Sequence, residues 1–347
     1  MLNAIDLFCG CGGLSLGLRW AGFRVLAAID NDPHAISTYR LNNRRTRVLL
    51  KDIKEIDPIG LMTELGLAPG ELGILAGCPP CQGFSTLRTL NGGRVIQEPK
   101  NDLVFQFLRF IEAFQPKAIM LENVPGLASD QRLVRLRREL EKMKYFCAIG
   151  VFDAANFGIA QRRKRMIFIG STVGKPEFAK ARNQSRTVKG AISRLPKPEN
   201  SNDLFHNYTV IRQTRILKLI KRIPKNGGSR TDLPTSQQLD CHKRCDGFKD
   251  VYGRMAWDDP SPTITGGCIS PSKGRFLHPD QDRAITLREA AILQGFPLSY
   301  EFVMPKGRYS FAQIIGNAFP PKFAEHHARK IRQLLETTEI VNPSTEK

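Results

Sequence analysis

Ala4-Ile-Asp-Leu-Phe-Cys-Gly-Cys-Gly-Gly-Leu14-Ser-Leu-Gly-Leu-Arg-Trp-Ala21 runs from a short apolar segment through a glycine cluster into a longer apolar-periodic one. The first part predicts a strand at 4–8 and the last a helix at 14–21, joined by a turn in which glycines let the backbone approach a ligand. The helix start adds free N–H groups to that turn. It is neither the G-x-G-x-x-G of dinucleotide folds nor a P-loop, because no Lys-Ser/Thr follows the glycines. Outward from this unit the alternation continues, with strands predicted at 25–29, 48–50, 74–76, 118–121 and 166–169 and helices at 34–42, 102–114 and 131–144. Such an order predicts an α/β fold with a doubly wound, mostly parallel, Rossmann-like sheet.

Ligands of these sheets bind beyond the carboxyl ends of the strands, so the residues that follow each strand carry the functional information. Here they are Cys9-Gly-Cys-Gly-Gly13, Asp30-Asn-Asp32, Asp52, Gly77-Cys-Pro-Pro-Cys-Gln82 and Glu122-Asn123. A carboxylate at Asp30 suits ribose hydroxyls and one at Asp52 an adenine amino group; with Asp6 they suggest an adenosine site. Past Ser171 the alternation stops, and a basic stretch rich in Pro, Asn, Ser and Gly predicts a second, smaller, irregular domain. The expected division is 1–172 for catalysis and cofactor binding, 173–283 for target recognition, 284–300 as a hinge and 301–347 as a return to the first domain. Helices are expected near 287–293 and 323–335, with fraying from about Thr337.

Among the 347 residues, 52 Lys/Arg against 33 Asp/Glu give a net charge of +19, which favours a polyanionic partner over a neutral small molecule. From residue 175 to 275 there are 20 basic and 9 acidic side chains, a surplus of 11, so that segment is the expected electrostatic footprint. No apolar run approaches the roughly 18 residues of a membrane span, and the start has no signal- or transit-peptide character. A cytoplasmic, monomeric protein is expected. The 8 cysteines read as thiols, not a disulfide framework. No metal is expected, although Cys241, His242 and Cys245 form a thin ligand pattern.

In Pro79-Pro-Cys-Gln-Gly-Phe-Ser85, prolines stiffen a loop that presents Cys81 just past a strand, where a thiol can serve as nucleophile. Taken alone, Cys78-x-x-Cys81 is equally compatible with a redox or zinc pair, with two prolines between the thiols and no second such pair at zinc-ribbon spacing. Arg163 and Arg165 could supply positive charge near the thiolate. Glu122 ends the next strand and would bring a carboxyl group beside it.

The order Phe8-Cys-Gly-Cys-Gly-Gly13, Pro79-Pro-Cys-Gln82, Glu122-Asn-Val124, Gln161-Arg-Arg-Lys-Arg165, Arg288-Glu-Ala-Ala-Ile-Leu-Gln-Gly-Phe-Pro297 and Gly316-Asn-Ala-Phe-Pro-Pro321 resembles the DNA (cytosine-5) methyltransferases of bacterial restriction-modification systems. The resemblance covers the chain except for about 171–251, the place of that family's target recognition domain. It implies S-adenosylmethionine as methyl donor, S-adenosylhomocysteine as product, and cofactor contacts among Asp6, Phe8, Cys9, Gly10, Gly12, Gly13, Asp30, Asn31, Asp52, Ile53, Pro79 and Asn317. It implies Cys81 as nucleophile, Glu122 on the cytosine N3/N4 edge, and Arg163 and Arg165 as base or phosphate contacts. Trp257-Asp-Asp-Pro-Ser-Pro-Thr263-Ile-Thr265-Gly-Gly267 resembles the end of the family's recognition loop, so Arg254, Thr263, Thr265 and Gly266, with Gln82 and Ser85, are the expected DNA contacts. Double-stranded DNA is the implied partner, which would place the protein on the nucleoid, with a restriction endonuclease or other defence protein as functional companion. An RNA methyltransferase on the same fold, an inactive DNA-binding homologue and a Cys78/Cys81 oxidoreductase are the competing readings.

Overall fold

The computed structural model describes residues 1–80, 103–182, 185–207, 210–243, 248–304 and 307–341. Cys81, Gln82 and Ser85 therefore lie outside the described residues. The chain divides into two compact units, the first formed by Met1–Asp153, Lys164–Ala181 and Phe319–Lys347, the second by Ala154–Arg163 and Arg182–Ala318.

The first unit begins β1 (Asn3–Leu7), α1 (Gly13–Trp20), β2 (Arg24–Asp30), α2 (Pro33–Asn42), β3 (Arg47–Leu50) and α3 (Pro58–Glu64). It continues with β4 (Ile74–Gly77), α4 (Leu103–Phe114), β5 (Ala118–Asn123), α5 (Gln131–Lys142), β6 (Phe146–Asp153) and β7 (Lys164–Ser171). Among the described residues these strands make one sheet in the order β3-β2-β1-β4-β5-β7-β6. β1 through β5 pair in parallel, and β7 runs antiparallel to both β5 and β6. The expected α/β sheet is thus present. β6 is an addition to the expected strands: as an edge strand it leaves Phe146 and Val151 each 47% exposed, so its apolar residues do not form the continuous run of a buried parallel strand.

Local chemistry sets the helix starts. Asp32 accepts from the His34 and Ala35 amides ahead of Pro33, and Asp57 does the same for Ile59 and Gly60 ahead of Pro58. On α4, Val104, Phe107, Phe110, Ile111 and Phe114 make a buried stripe at helical spacing, each contributing roughly 1.5–3 kcal/mol by leaving water.

The second unit is built from short helices and 3-10 turns: α6 (Val188–Ile192), α7 (Thr214–Arg222), α8 (Asp240–Lys243), α9 (Leu287–Leu293) and α10 (Arg308–Asn317). Thr286 and Glu289 cap α9 reciprocally, and every residue of that helix is buried. The last helix, α11 (Pro321–Val341), extends past the point where fraying was expected and returns to the first unit. There it packs on α1 so closely that a Cβ on Gly17 would lie 2.5 Å from the Ala324 Cβ. Arg329 and Arg332 secure the contact by donating to the Trp20 and Ala21 carbonyls, each at 3.1 Å.

Candidate active site

At the carboxyl end of β1 the backbone enters the left-handed region three times, at Phe8 (φ 61°), Gly10 (φ 52°) and Gly12 (φ 95°). A side chain with φ above zero is costly away from glycine, so Phe8 marks a backbone held in place by its surroundings. The Gly10 amide donates to Asp30 Oδ2 at 2.8 Å, while Asp30 Oδ1 accepts from the Asp32 amide at 2.9 Å. A Cβ built on Gly10 meets nothing within 4 Å, so the loop faces open space and Gly10 is required by its dihedral, not by packing. Beneath the loop, Asp6 is fully buried and its Oδ2 accepts from Ser15 Oγ at 2.6 Å, which in turn bonds the Tyr39 hydroxyl at 2.7 Å. The other oxygen, Asp6 Oδ1, is buried with no hydrogen-bond partner. Burial pushes the Asp6 carboxyl up to about 7 and also raises that of Asp30. The thiols of Cys9 and Cys11 are buried and held protonated, Cys11 pushed up to about 12.

Asp52 follows β3 and accepts from the Lys54 amide at 3.0 Å; Ile53 beside it is buried and Asn31 is exposed. Arg109 of α4 holds this turn from behind, donating to the Ile53 carbonyl at 2.6 Å and that of Ile56 at 3.0 Å. Its place in an apolar helix pattern gave no sign of that use. Asp6, Phe8, Gly10 and Asp30 therefore meet in one loop cluster, with Asp52 on the neighbouring strand end. Asn317 belongs to the second unit, where it ends α10 and is exposed.

β4 and β5 are parallel neighbours, with Gly77 opposite Leu121, so the end of β5 lies beside the loop that follows β4. Glu122 and Asn123 occupy that end and divide the work. The Asn123 side chain donates to the Pro79 carbonyl at 2.9 Å and accepts from the Val124 amide at 2.8 Å, clamping the base of the loop that carries Cys81. Glu122 is buried and ion-paired with Arg165 of β7, Nε to Oε1 at 2.8 Å. Burial first, then the charges of Glu122 and Asp6, push the Cys78 thiol well above its ordinary range, so it stays an S–H group. Asn123 and Cys78 as partners of the site escaped the sequence reading, although both adjoin residues it singled out.

In the second unit the segment 160–163 zips against 261–264. Ser261 and Ala160, and Arg162 and Ser261, exchange backbone bonds at 2.9 and 2.8 Å. Gln161 is completely buried, accepts from the Ile264 amide at 2.9 Å and donates to Gln294 Oε1 at 2.6 Å. Thr263 donates to the Arg162 carbonyl, and Thr265 accepts from the Gly267 amide. Gly316 must be glycine here, because a Cβ would lie 2.4 Å from the Thr265 carbonyl carbon. Two arginines depart from their expected places. Arg163 is 4% exposed, and its guanidinium donates to the Ile264 carbonyl at 3.0 Å and the Gly316 carbonyl at 2.9 Å, so it holds the loop instead of facing a base. Arg254, expected on DNA, is fully buried and donates to the carbonyls of Ile220, Ile223, His278 and Gln281 and to the Asp282 carboxylate. A charged group with every donor spent inside the core is a structural staple. Trp257 is half-buried, its Nε1 donating to Asp280 at 2.8 Å.

A family model described as C-5 cytosine-specific DNA methylase matches residues 2–333. The chain belongs to that family. Similar relatives include the Type II methylase M.HgiDII of Herpetosiphon aurantiacus, 36% identical over 96% of this chain and 95% of that protein. The Type II methyltransferase M1.HphI of Haemophilus parahaemolyticus is 33% identical over 96% of this chain and 87% of its own. Among solved structures, a protein assigned as a DNA modification methyltransferase encoded within a prophage (E. coli) superposes with a TM-score of 0.69 at 26% identity, covering 97% of this chain and all of that one. Membership in the C-5 cytosine-specific DNA methylases implies a methyl donor of the S-adenosylmethionine type. Among the described residues of this methylase no helix is long and apolar enough to cross a membrane.

Proposed function

We propose that the chain transfers a methyl group from S-adenosylmethionine to C5 of a flipped-out cytosine in a specific duplex DNA sequence, through a covalent bond between Cys81 and C6 of the base. The observation that carries this reading is the Glu122–Arg165 ion pair at the base of the Cys81 loop, one strand from the glycine loop. Cytosine C5 is too poor a nucleophile to take a methyl group directly. Addition of the Cys81 thiolate to C6 makes C5 the carbon of an enamine and builds negative charge on N3 and O2. Glu122 is the group for the N3/N4 edge and Arg165 orients it; with Nε on Glu122 and Nη1 donating to the Lys164 carbonyl at 2.7 Å, Nη2 is the group proposed for the charge on O2. After transfer the C5 proton leaves to a base and the Cys81–C6 bond breaks. The target must leave the helical stack to reach these groups, at a cost of a few kcal/mol.

The strand ends suit an adenosine-bearing donor: the glycine loop faces open space, Asp6 keeps one buried oxygen unpartnered, and carboxylates stand at the ends of β2 and β3. Phe8, Gly10, Gly12 and Asp30 would hold the donor's ribose side and Asp52 with Ile53 its adenine, and when bound the group supplies an electrophilic sulfonium methyl. The loop 261–267, with Thr263, Thr265 and Gly266, is assigned to target recognition, and Gln161 and Arg163 to its support. The Type II names of the relatives support a role as the modification enzyme of a restriction-modification system in the cytoplasm, paired with an endonuclease. Bisulfite sequencing of DNA from cells expressing the protein tests the reading: protected cytosines within one recurring sequence are expected with the natural chain and none with Glu122→Ala. Methylation confined to transfer RNA would refute it.

A further inference from the structure

From Leu204 to Thr231 the chain carries seven Lys/Arg and no acidic residue. Helix α7 lies in the middle of that run. Its Leu219 and Ile220, followed by Ile223, are buried against Leu233, Tyr252 and Leu277. At 100° per residue, Arg215, Lys218, Lys221 and Arg222 fall within an arc of about 120° on the side away from that core, and all four are exposed. Arg215 reaches only Gln213, at 3.1 Å, and among the described residues none of the four is ion-paired with a carboxylate. Other helices of this protein neutralise their surface cations in sequence: Arg137 with Glu141 and Lys142 with Glu139 on α5, Arg329 with Glu325 and Arg332 with Glu336 on α11. The α7 cations instead repel one another at spacings of three and four residues, which an added polyanion would relieve. The helix is also fixed in place, since buried Arg254 grips the Ile220 and Ile223 carbonyls at 2.8 and 3.1 Å. From Arg215 to Arg222 it spans about 10 Å, roughly the axial run of three phosphates on one DNA strand.

We infer that the cationic face of α7 is a docking surface for the phosphate backbone of duplex DNA, one that adds affinity without reading sequence. The inference rests on DNA being the substrate. It is tested in the full-length protein by combining Arg215→Gln, Lys218→Gln, Lys221→Gln and Arg222→Gln and measuring binding to short duplexes of unrelated sequence between about 50 and 200 mM salt. Every phosphate that the variant no longer neutralises should flatten the plot of log affinity against log salt by about 0.9, so a slope shallower by about 2–4 is expected. At about 150 mM salt, affinity should fall at least about tenfold, equally for every sequence, with kcat at saturating DNA unchanged. A matched variant, Arg137→Gln with Lys142→Gln, should leave the slope as it was. An unchanged slope with α7 neutralised, an equal effect from the α5 variant, or a weakening seen only with structured RNA or anionic vesicles would overturn the inference. If the natural protein methylates no DNA, the proposed function fails; if both proteins methylate DNA with equal salt dependence, only the assignment of this surface fails.

Discussion

Asp6 and Arg254 illustrate how far a residue's type is from its role. Both were read as polar groups at functional positions, and both are buried. Arg254 has every donor on protein oxygen, whereas Asp6 has one oxygen on Ser15 and the other on nothing. A buried acid and a half-buried one in one loop cluster cannot both ionise without cost, and burial raises Asp6 from 3.8 to about 7. The raised value means that the folded state holds the proton more tightly than the unfolded one. Stability from this group is full below about pH 4, falls as pH rises through the window up to about 7, and is lost above it. Asp6→Asn keeps an acceptor for Ser15 and has nothing to ionise. Its stability relative to the natural protein should therefore rise from pH 4 to pH 8 by on the order of a few kcal/mol in urea melts of the donor-free protein. A difference that does not vary with pH would contradict the account of the loop.

Elements were legible where burial is continuous and obscure where it is not. The parallel strands β2, β4 and β5 announce themselves as apolar runs ending in polar groups, because both faces are covered, and β1 departs from that pattern only at the buried Asp6. β6 has a solvent edge and escaped. α7 was also missed, although Ile216, Leu219, Ile220 and Ile223 keep a helical period; nine residues closed off by Pro224 is a short window in a basic, proline-rich region. The candidate site was legible at strand ends, since topology alone brings them to one edge of the sheet. Which arginine faces outward was not, because a guanidinium satisfied by backbone carbonyls leaves no trace in the local sequence. The α1–α11 contact offers a test at this scale. Gly17→Ala should destabilise by about 1–3 kcal/mol through overlap with Ala324 and the Pro321 carbonyl. Ala324→Gly should recover part of that loss, giving a coupling of about 0.5 kcal/mol or more in a double-mutant cycle. Strict additivity would mean that the two helices are not in register as described.

At the scale of the whole molecule, the proposed function assigns chemistry to one unit and target recognition to the other. The first carries the glycine loop, Glu122 and Arg165 on adjacent strand ends, and the second carries a buttressed loop and a cation-only helix. The central claim joins these to one thiol. Cys78 and Cys81 share a motif; burial and the charges of Glu122 and Asp6 hold Cys78 protonated, and the proposed function takes Cys81 as the nucleophile. Kilobase-length duplex DNA containing 5-fluorocytosine lets this be measured without knowing the target sequence, because the fluorine blocks the final elimination. Incubated with S-adenosylmethionine, the natural protein and Cys78→Ala should both form a complex that survives denaturation, and Cys81→Ser should form none. Absence of the complex with the natural protein, or its persistence in Cys81→Ser, would contradict the account.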